Sequence, residues 1–130
     1  MGLRITHLGS GSRGNSTLLE SENCKVLIDC GFSLKQTERR LSRISIEPRE
    51  IDAIFVTHHH GNHSKSALKA SQKWGSRLYC NLETAMKLGW NPISDCRTFG
   101  NLERINIHDK ISVLPVPIPH DDAENIALIV

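Results

Sequence analysis

The sequence predicts a mixed α/β (α+β) domain. Three observations carry that reading. Short apolar runs rich in Val and Ile recur along the chain. Stretches with helical apolar spacing and recognisable caps stand between them. Gly-, Asn- and Asp-containing turns separate the two kinds of segment. Strands interleaved with helices in one short chain define the class.

Residues 4–8 read as a strand. Residues 18–29 hold two apolar pieces, Leu18-Leu19 and Val26-Leu27-Ile28, around the polar turn 20–23, the pattern of a hairpin. A helix is expected over 33–43. Ser33 is its N-cap, Gln36 lies three residues on as in a capping box, and Leu34 and Leu41 share its apolar face. The β-branched run 51–56 predicts a buried strand. A helix over 65–74 and a short strand over 77–80 follow. Asn81 is placed to cap a helix that Gly89 terminates. Residues 105–107 and 111–114 flank His108-Asp109-Lys110 as a second hairpin, and 126–130 is a last apolar strand. Pro115, Pro117 and Pro119 alternate with Val116 and Ile118. At period two their missing N–H groups face one way, which suits an edge strand or a polyproline-like segment rather than a central strand.

The 130 residues suit one domain with one core, so 1–130 is read as a single domain. Apolar residues at 38% against 23% charged argue for an ordered globular chain. A net charge of +2 is too small to argue for nucleic acid on bulk electrostatics. No stretch approaches a membrane span and the N-terminus lacks a signal-peptide core, so a cytoplasmic protein without membrane contact is expected. Cys24, Cys30, Cys80 and Cys96 form no C-x-x-C pair and read as reduced, mostly buried thiols.

Gly9-x-Gly11-x-x-Gly14 matches the dinucleotide fingerprint in spacing, but that motif must open a helix. Here 15–19 shows no helical period, so no dinucleotide site is expected. The glycines read instead as a tight turn, or as a loop whose backbone approaches a metal centre or substrate.

The stretch THHHGNH, residues 57–63, places His58, His59, His60 and His63 directly after the buried run. Neutral imidazole is a good zinc ligand, and catalytic zinc takes three protein ligands and a water. His58 and His60 could be joined by His120, which also follows an extended apolar segment. A polar loop without metal is the alternative reading. His7 and His108 stand alone and are read as non-ligands.

The segments LGSGSRGNSTLLE, VLIDCGFS, IDAIFVTHHHGNH and VPIPHDDAENIALIV, in this order, resemble a metallo-β-lactamase-fold metal-dependent hydrolase of the YycJ/WalJ-like subgroup. The resemblance covers only the N-terminal portion of such a protein. It implies the N-terminal half of an αβ/βα sandwich, with a mixed, mostly antiparallel sheet and flanking helices. It implies His58, His60 and His120 as ligands of a first metal and His63 as a ligand of a second. It implies that Asp29 supports the metal loop. Asn62 stands where the family carries a catalytic, metal-binding aspartate, and His59 where the subgroup often has glutamate. The family's bridging aspartate and last ligand histidine are not found before Val130, so the domain is read as truncated.

An asparagine amide supplies no negative charge and is no base near neutral pH. One Zn²⁺ is therefore expected rather than two, with Mn²⁺ as the alternative metal. The implied function is hydrolysis of phosphodiesters of the nucleic-acid type, weakened or lost through Asn62 and the missing ligands. A non-catalytic metal-binding remnant and an interaction module of the same fold are the alternatives. The implied partners are DNA or another phosphoester, and a second copy or partner chain covering an exposed sheet face. Lys35, Arg39, Arg40 and Arg43 read as a solvated helix face or a phosphate-backbone contact.

Overall fold

A computed structural model describes residues 2–118 and 125–129. His120 therefore lies outside the described residues. The order of elements is β1 (Arg4–Gly9), β2 (Ser16–Ser21), β3 (Cys24–Ile28), α1 (Leu34–Arg43), β4 (Ala53–Phe55), α2 (Gly61–Ser64), α3 (Ala67–Trp74), β5 (Arg77–Asn81), α4 (Leu82–Leu88), β6 (Arg97–Phe99), β7 (Ile105–Ile107), β8 (Ile111–Ile118) and β9 (Asn125–Ile129).

Six strands form one sheet in the order β1-β2-β3-β4-β5-β6, and β7-β8-β9 form a second. The first three strands run antiparallel, as short turns allow. From β3 to β6 the pairings are parallel. These crossovers need connections long enough to hold α1, α3 and α4. The second sheet is antiparallel throughout. Among the described residues four of the seven pairings are thus antiparallel, in keeping with the mixed, mostly antiparallel expectation.

Strand alternation divides the core in two. Leu18, Leu27, Ile54, Val56 and Leu78 face the helices and pack with Leu41, Ala67, Ala70 and Trp74. Leu19, Val26, Ala53, Phe55 and Tyr79 face the other way and pack with Phe99, Ile107, Ile111 and Val113. Phe55 stacks on Tyr79 with centroids 4.7 Å apart. On this second face β7 supplies Ile107 and β8 supplies Ile111 and Val113. No helix among the described residues is long and apolar enough to cross a membrane.

The caps follow the sequence. The Ser33 hydroxyl accepts from the Gln36 amide at 3.2 Å. The Asn81 side chain accepts from the Thr84 amide at 2.8 Å, and Gly89 ends α4 at a φ of 72°. The helix expected over 65–74 begins only at Ala67, because the histidine loop forms its own turn, α2, with His60 at its N-cap position.

β8 lies in the middle of its sheet, whereas the prolines argued against a central strand. The two facts meet in the register. Residues Ile111 to Val113 pair with β7, and Leu114 to Ile118 pair with β9. The proline half thus has a strand on one side only. Pro115 O accepts from Leu102 N at 2.8 Å on the side away from β9. In an antiparallel strand the N of Pro115 points the same way as its O, so its missing donor costs no ladder bond.

Candidate metal centre

Parallel pairing sets β3 beside β4 with Ile28 opposite Phe55. The next residues of each strand therefore emerge together beyond the carboxyl ends, where sheets of this kind place their ligands. Asp29 N donates to Phe55 O at 2.7 Å and closes that junction. Asp29 then adopts a φ of 65°, in the left-handed region that Asp tolerates better than most residues. The turn aims its carboxylate, buried with its residue only 5% exposed, across at Thr57.

That carboxylate is fully engaged. Its Oδ1 accepts from Thr57 N at 2.7 Å. Its Oδ2 accepts from the Thr57 hydroxyl at 2.7 Å and from His63 Nδ1 at 2.7 Å. The Thr57 oxygen also lies 2.6 Å from His58 Nδ1. The hydroxyl proton is committed to Asp29, so His58 Nδ1 is the donor in this contact. Both imidazoles are thereby held as Nδ1–H tautomers, one directly by Asp29 and one through Thr57. In that tautomer Nε2 is the atom each ring would offer a metal. The two rings lie 4.2 Å apart.

Asp29, His58 and His63 offer ligand atoms within 4.8 Å of one another. Both oxygens of Asp29 already serve donors, so the arrangement uses it as the group that orients the imidazoles. The described structure does not bring His60 into this group. Its ring lies 4.3 Å from that of His59 instead.

Asn62 engages the scaffold chiefly through its main chain. Its carbonyl accepts from Asn15 N at 2.8 Å and from Asn15 Nδ2 at 3.0 Å. Its own amide donates to Gly11 O at 3.4 Å. Cys30 N donates to His63 O at 2.8 Å, and Gly31 N donates to Asn15 O at 3.1 Å. A β-carbon on Gly31 would run into the Asn62 carbonyl, so only glycine lets these loops meet. Asn15 Nδ2 also lies 3.4 Å from His63 Nε2, its longest contact.

The Gly-rich loop is followed by strand β2, not the helix a dinucleotide site requires. Its backbone approaches Phe32 closely at Gly9 and Gly14. Arg40 lies 4.0 Å above the Phe32 ring and donates to Leu8 O at 2.6 Å. Arg40 is thus a clamp on this loop, while Lys35, Arg39 and Arg43 form the solvated face of α1.

All four cysteines are free thiols and buried. Burial pushes the Cys24 thiol up to about 11 and raises Cys30 and Cys80 as well.

Sequence reading did not single out Thr57, Asn15 or Gly31. Thr57 carried a signal, since it is the polar residue between a buried strand and the first histidine. Asn15 carried none, because its partner lies 47 residues away.

This fold, with a histidine loop at the strand ends, matches known proteins. The chain belongs to the Metallo-beta-lactamase superfamily, whose family profile matches residues 9–127. It is 32% identical over 108 residues to exodeoxyribonuclease WalJ of Streptococcus pneumoniae serotype 2 (strain D39 / NCTC 7466), covering 83% of this chain and 38% of that protein. It is 32% identical over 115 residues to exodeoxyribonuclease YycJ of Bacillus anthracis, covering 79% of this chain and 44% of that one. The chain thus spans less than half the length of these curated relatives. Among solved structures, a B3 metallo-beta-lactamase with an active-site glutamic acid superposes with a TM-score of 0.79 at 16% identity, covering 95% of this chain and 53% of that one.

Proposed function

We propose that this chain carries the first histidine loop of a metal-dependent hydrolase that cleaves phosphodiesters in nucleic acid. The observation that carries the reading is one buried carboxylate that engages Nδ1 of His63 directly and Nδ1 of His58 through Thr57. Metal-ligating histidines characteristically donate their other N–H to a carboxylate or similar group. The two exodeoxyribonuclease relatives support DNA as the substrate class.

The donor set fits a divalent metal, since neutral imidazole nitrogens suit zinc. In this reading His58, with His60 and His120, would hold one ion, and His63, beside His58, would face a second position that Asn62 leaves without charge. Zinc is the expected metal and Mn²⁺ the alternative. When bound, it would supply a Lewis acid and a nucleophile at neutral pH. Asp29 fixes both imidazole tautomers, and Thr57 passes its influence to His58. Asn15 and Gly31 hold the loop against the Gly-rich turn.

A second reading has its own observation. Asn62 gives the site no charge, and its amide donates to Gly11 O. A domain that binds one metal with weak or no catalysis fits that feature. Metal content by mass spectrometry, with cleavage of bis(p-nitrophenyl) phosphate and of linear DNA after Zn²⁺ or Mn²⁺ addition, separates the two. Metal binding with EDTA-sensitive cleavage supports the hydrolase. Metal binding without cleavage supports the second reading, and no metal at all refutes both.

A further inference from the structure

Beside the histidine loop lies a cleft of about 410 Å³, between that loop, α3 and the end of α4. The loop divides its side chains between two sites. His58 and His63 turn to Asp29, whereas His59 lines the cleft. Leu68, Leu88 and Trp90 give the cleft an apolar lining. Lys65 and Lys69 line it as well, both exposed and four residues apart. Among the described residues neither lysine forms an ion pair and no carboxylate lines the cleft.

These features together favour a ligand with an apolar part and a nearby negative charge. A small-molecule pocket runs from about 300 Å³ upward, so the volume admits one nucleotide. The arginine groove on α1 holds only about 110 Å³, and its Arg40 is already spent on Leu8 and Phe32. The polar cleft at Arg77 and Arg97 lies at the start of β5 and β6, the sheet end opposite the histidine loop.

We infer that this cleft is a nucleotide subsite, taking the base next to the bond to be cut on its apolar lining and a flanking phosphate on Lys65 and Lys69. The inference rests on the phosphodiesterase reading for the identity of its strand, but its binding chemistry needs no metal. A phosphate held by two exposed lysines and a base held by an apolar lining each contribute modestly, so both are needed for measurable affinity.

The test is calorimetry on the full chain in EDTA with deoxyadenosine monophosphate, deoxyadenosine and inorganic phosphate. The monophosphate should bind, and each half alone should bind at least about tenfold more weakly. A Lys65→Gln/Lys69→Gln double variant should lose about tenfold in affinity for the monophosphate. Its metal content should not change. Both lysines are exposed, so the variant keeps the core, and a circular dichroism spectrum checks this. Phosphate binding as tightly as the monophosphate would reduce the site to a bare anion contact and overturn the inference. So would an unchanged affinity in the double variant, or no heat from any of the three ligands at millimolar concentration. Monophosphate binding of the expected pattern in a chain without cleavage activity would uphold the cleft and reject the hydrolase reading.

Discussion

Asp29→Asn removes one charge and almost no volume, so it isolates what the buried carboxylate does. The amide has one acceptor and one donor end, while Asp29 now accepts from Thr57 N, from the Thr57 hydroxyl and from His63 Nδ1. With the amide oxygen at the Oδ2 position, its NH₂ would face the Thr57 N–H, two donors against each other. With the oxygen at the Oδ1 position, the NH₂ faces Thr57 Oγ1 and His63 Nδ1. His63 must then accept at Nδ1 and carry its proton on Nε2. The Thr57 hydroxyl, now receiving from the amide, turns its proton to His58 Nδ1, and that ring flips tautomer too. Both imidazoles lose the lone pair that would face a metal.

Loss of such an outer partner lowers metal affinity about 10- to 100-fold, or about 1.4 to 2.8 kcal/mol. Loss of charge-assisted bonds in a buried site lowers stability by about 1.5 to 3 kcal/mol. Affinity is measured by zinc competition against a chromophoric chelator. Long-range ¹H–¹⁵N spectra read the tautomers directly in metal-free protein, which separates this mechanism from simple loosening of the loop. Thr57→Val should disturb His58 and leave His63 in its Nδ1–H form. If the Asp29→Asn variant keeps both rings as Nδ1–H tautomers and binds zinc within about twofold of the parent, the orienting role is wrong.

Gly31→Ala should cost about 1 to 3 kcal/mol in denaturant unfolding, because its methyl group meets a backbone carbonyl that cannot rotate away. An unchanged midpoint would mean that the loops have room to part. Asn62→Asp should raise bound metal toward a second equivalent by mass spectrometry, with little change in stability, since the replaced side chain makes one long contact. The four buried thiols should resist a thiol reagent in the native protein and react together after denaturation, as burial raises them against ionisation. Glu38 accepts from Trp74 Nε1 and Lys73, which hold its carboxyl below the usual 4.5. Its stabilisation is present above that pH and lost as pH falls through the depressed value, so Glu38→Gln should flatten the acid limb of stability against pH.

The sequence exposed those parts of the fold that repeat a local pattern. The pairs Leu18-Leu19 and Val26-Leu27 each serve two cores from opposite faces of one sheet, and such runs are legible as buried strands. Ser33, Asn81 and Gly89 are legible as caps because capping is a local bond. β6 was missed since only Phe99 of its three residues is buried. The density of histidines marked the loop at once, but not which of them act together. That depends on the partner of each Nδ1, and Asp29 reaches His63 across 34 residues. No spacing rule within residues 57–63 could reveal it.

Asn62 is the point at which fold and chemistry come apart. The loop is held by its carbonyl, which takes two bonds from Asn15, and by the carbonyl of His63, which takes one from Cys30. Any side chain at residue 62 can offer that carbonyl. An aspartate could therefore give way to asparagine without loosening the scaffold, whereas Gly31, which has no side chain, cannot change without pushing the same carbonyl aside. The Asp29 network is likewise complete without residue 62. The geometry that presents His58 and His63 thus needs no charge at residue 62. This geometry reports how the loop folds, and the charge at residue 62 bears separately on how many ions it could hold.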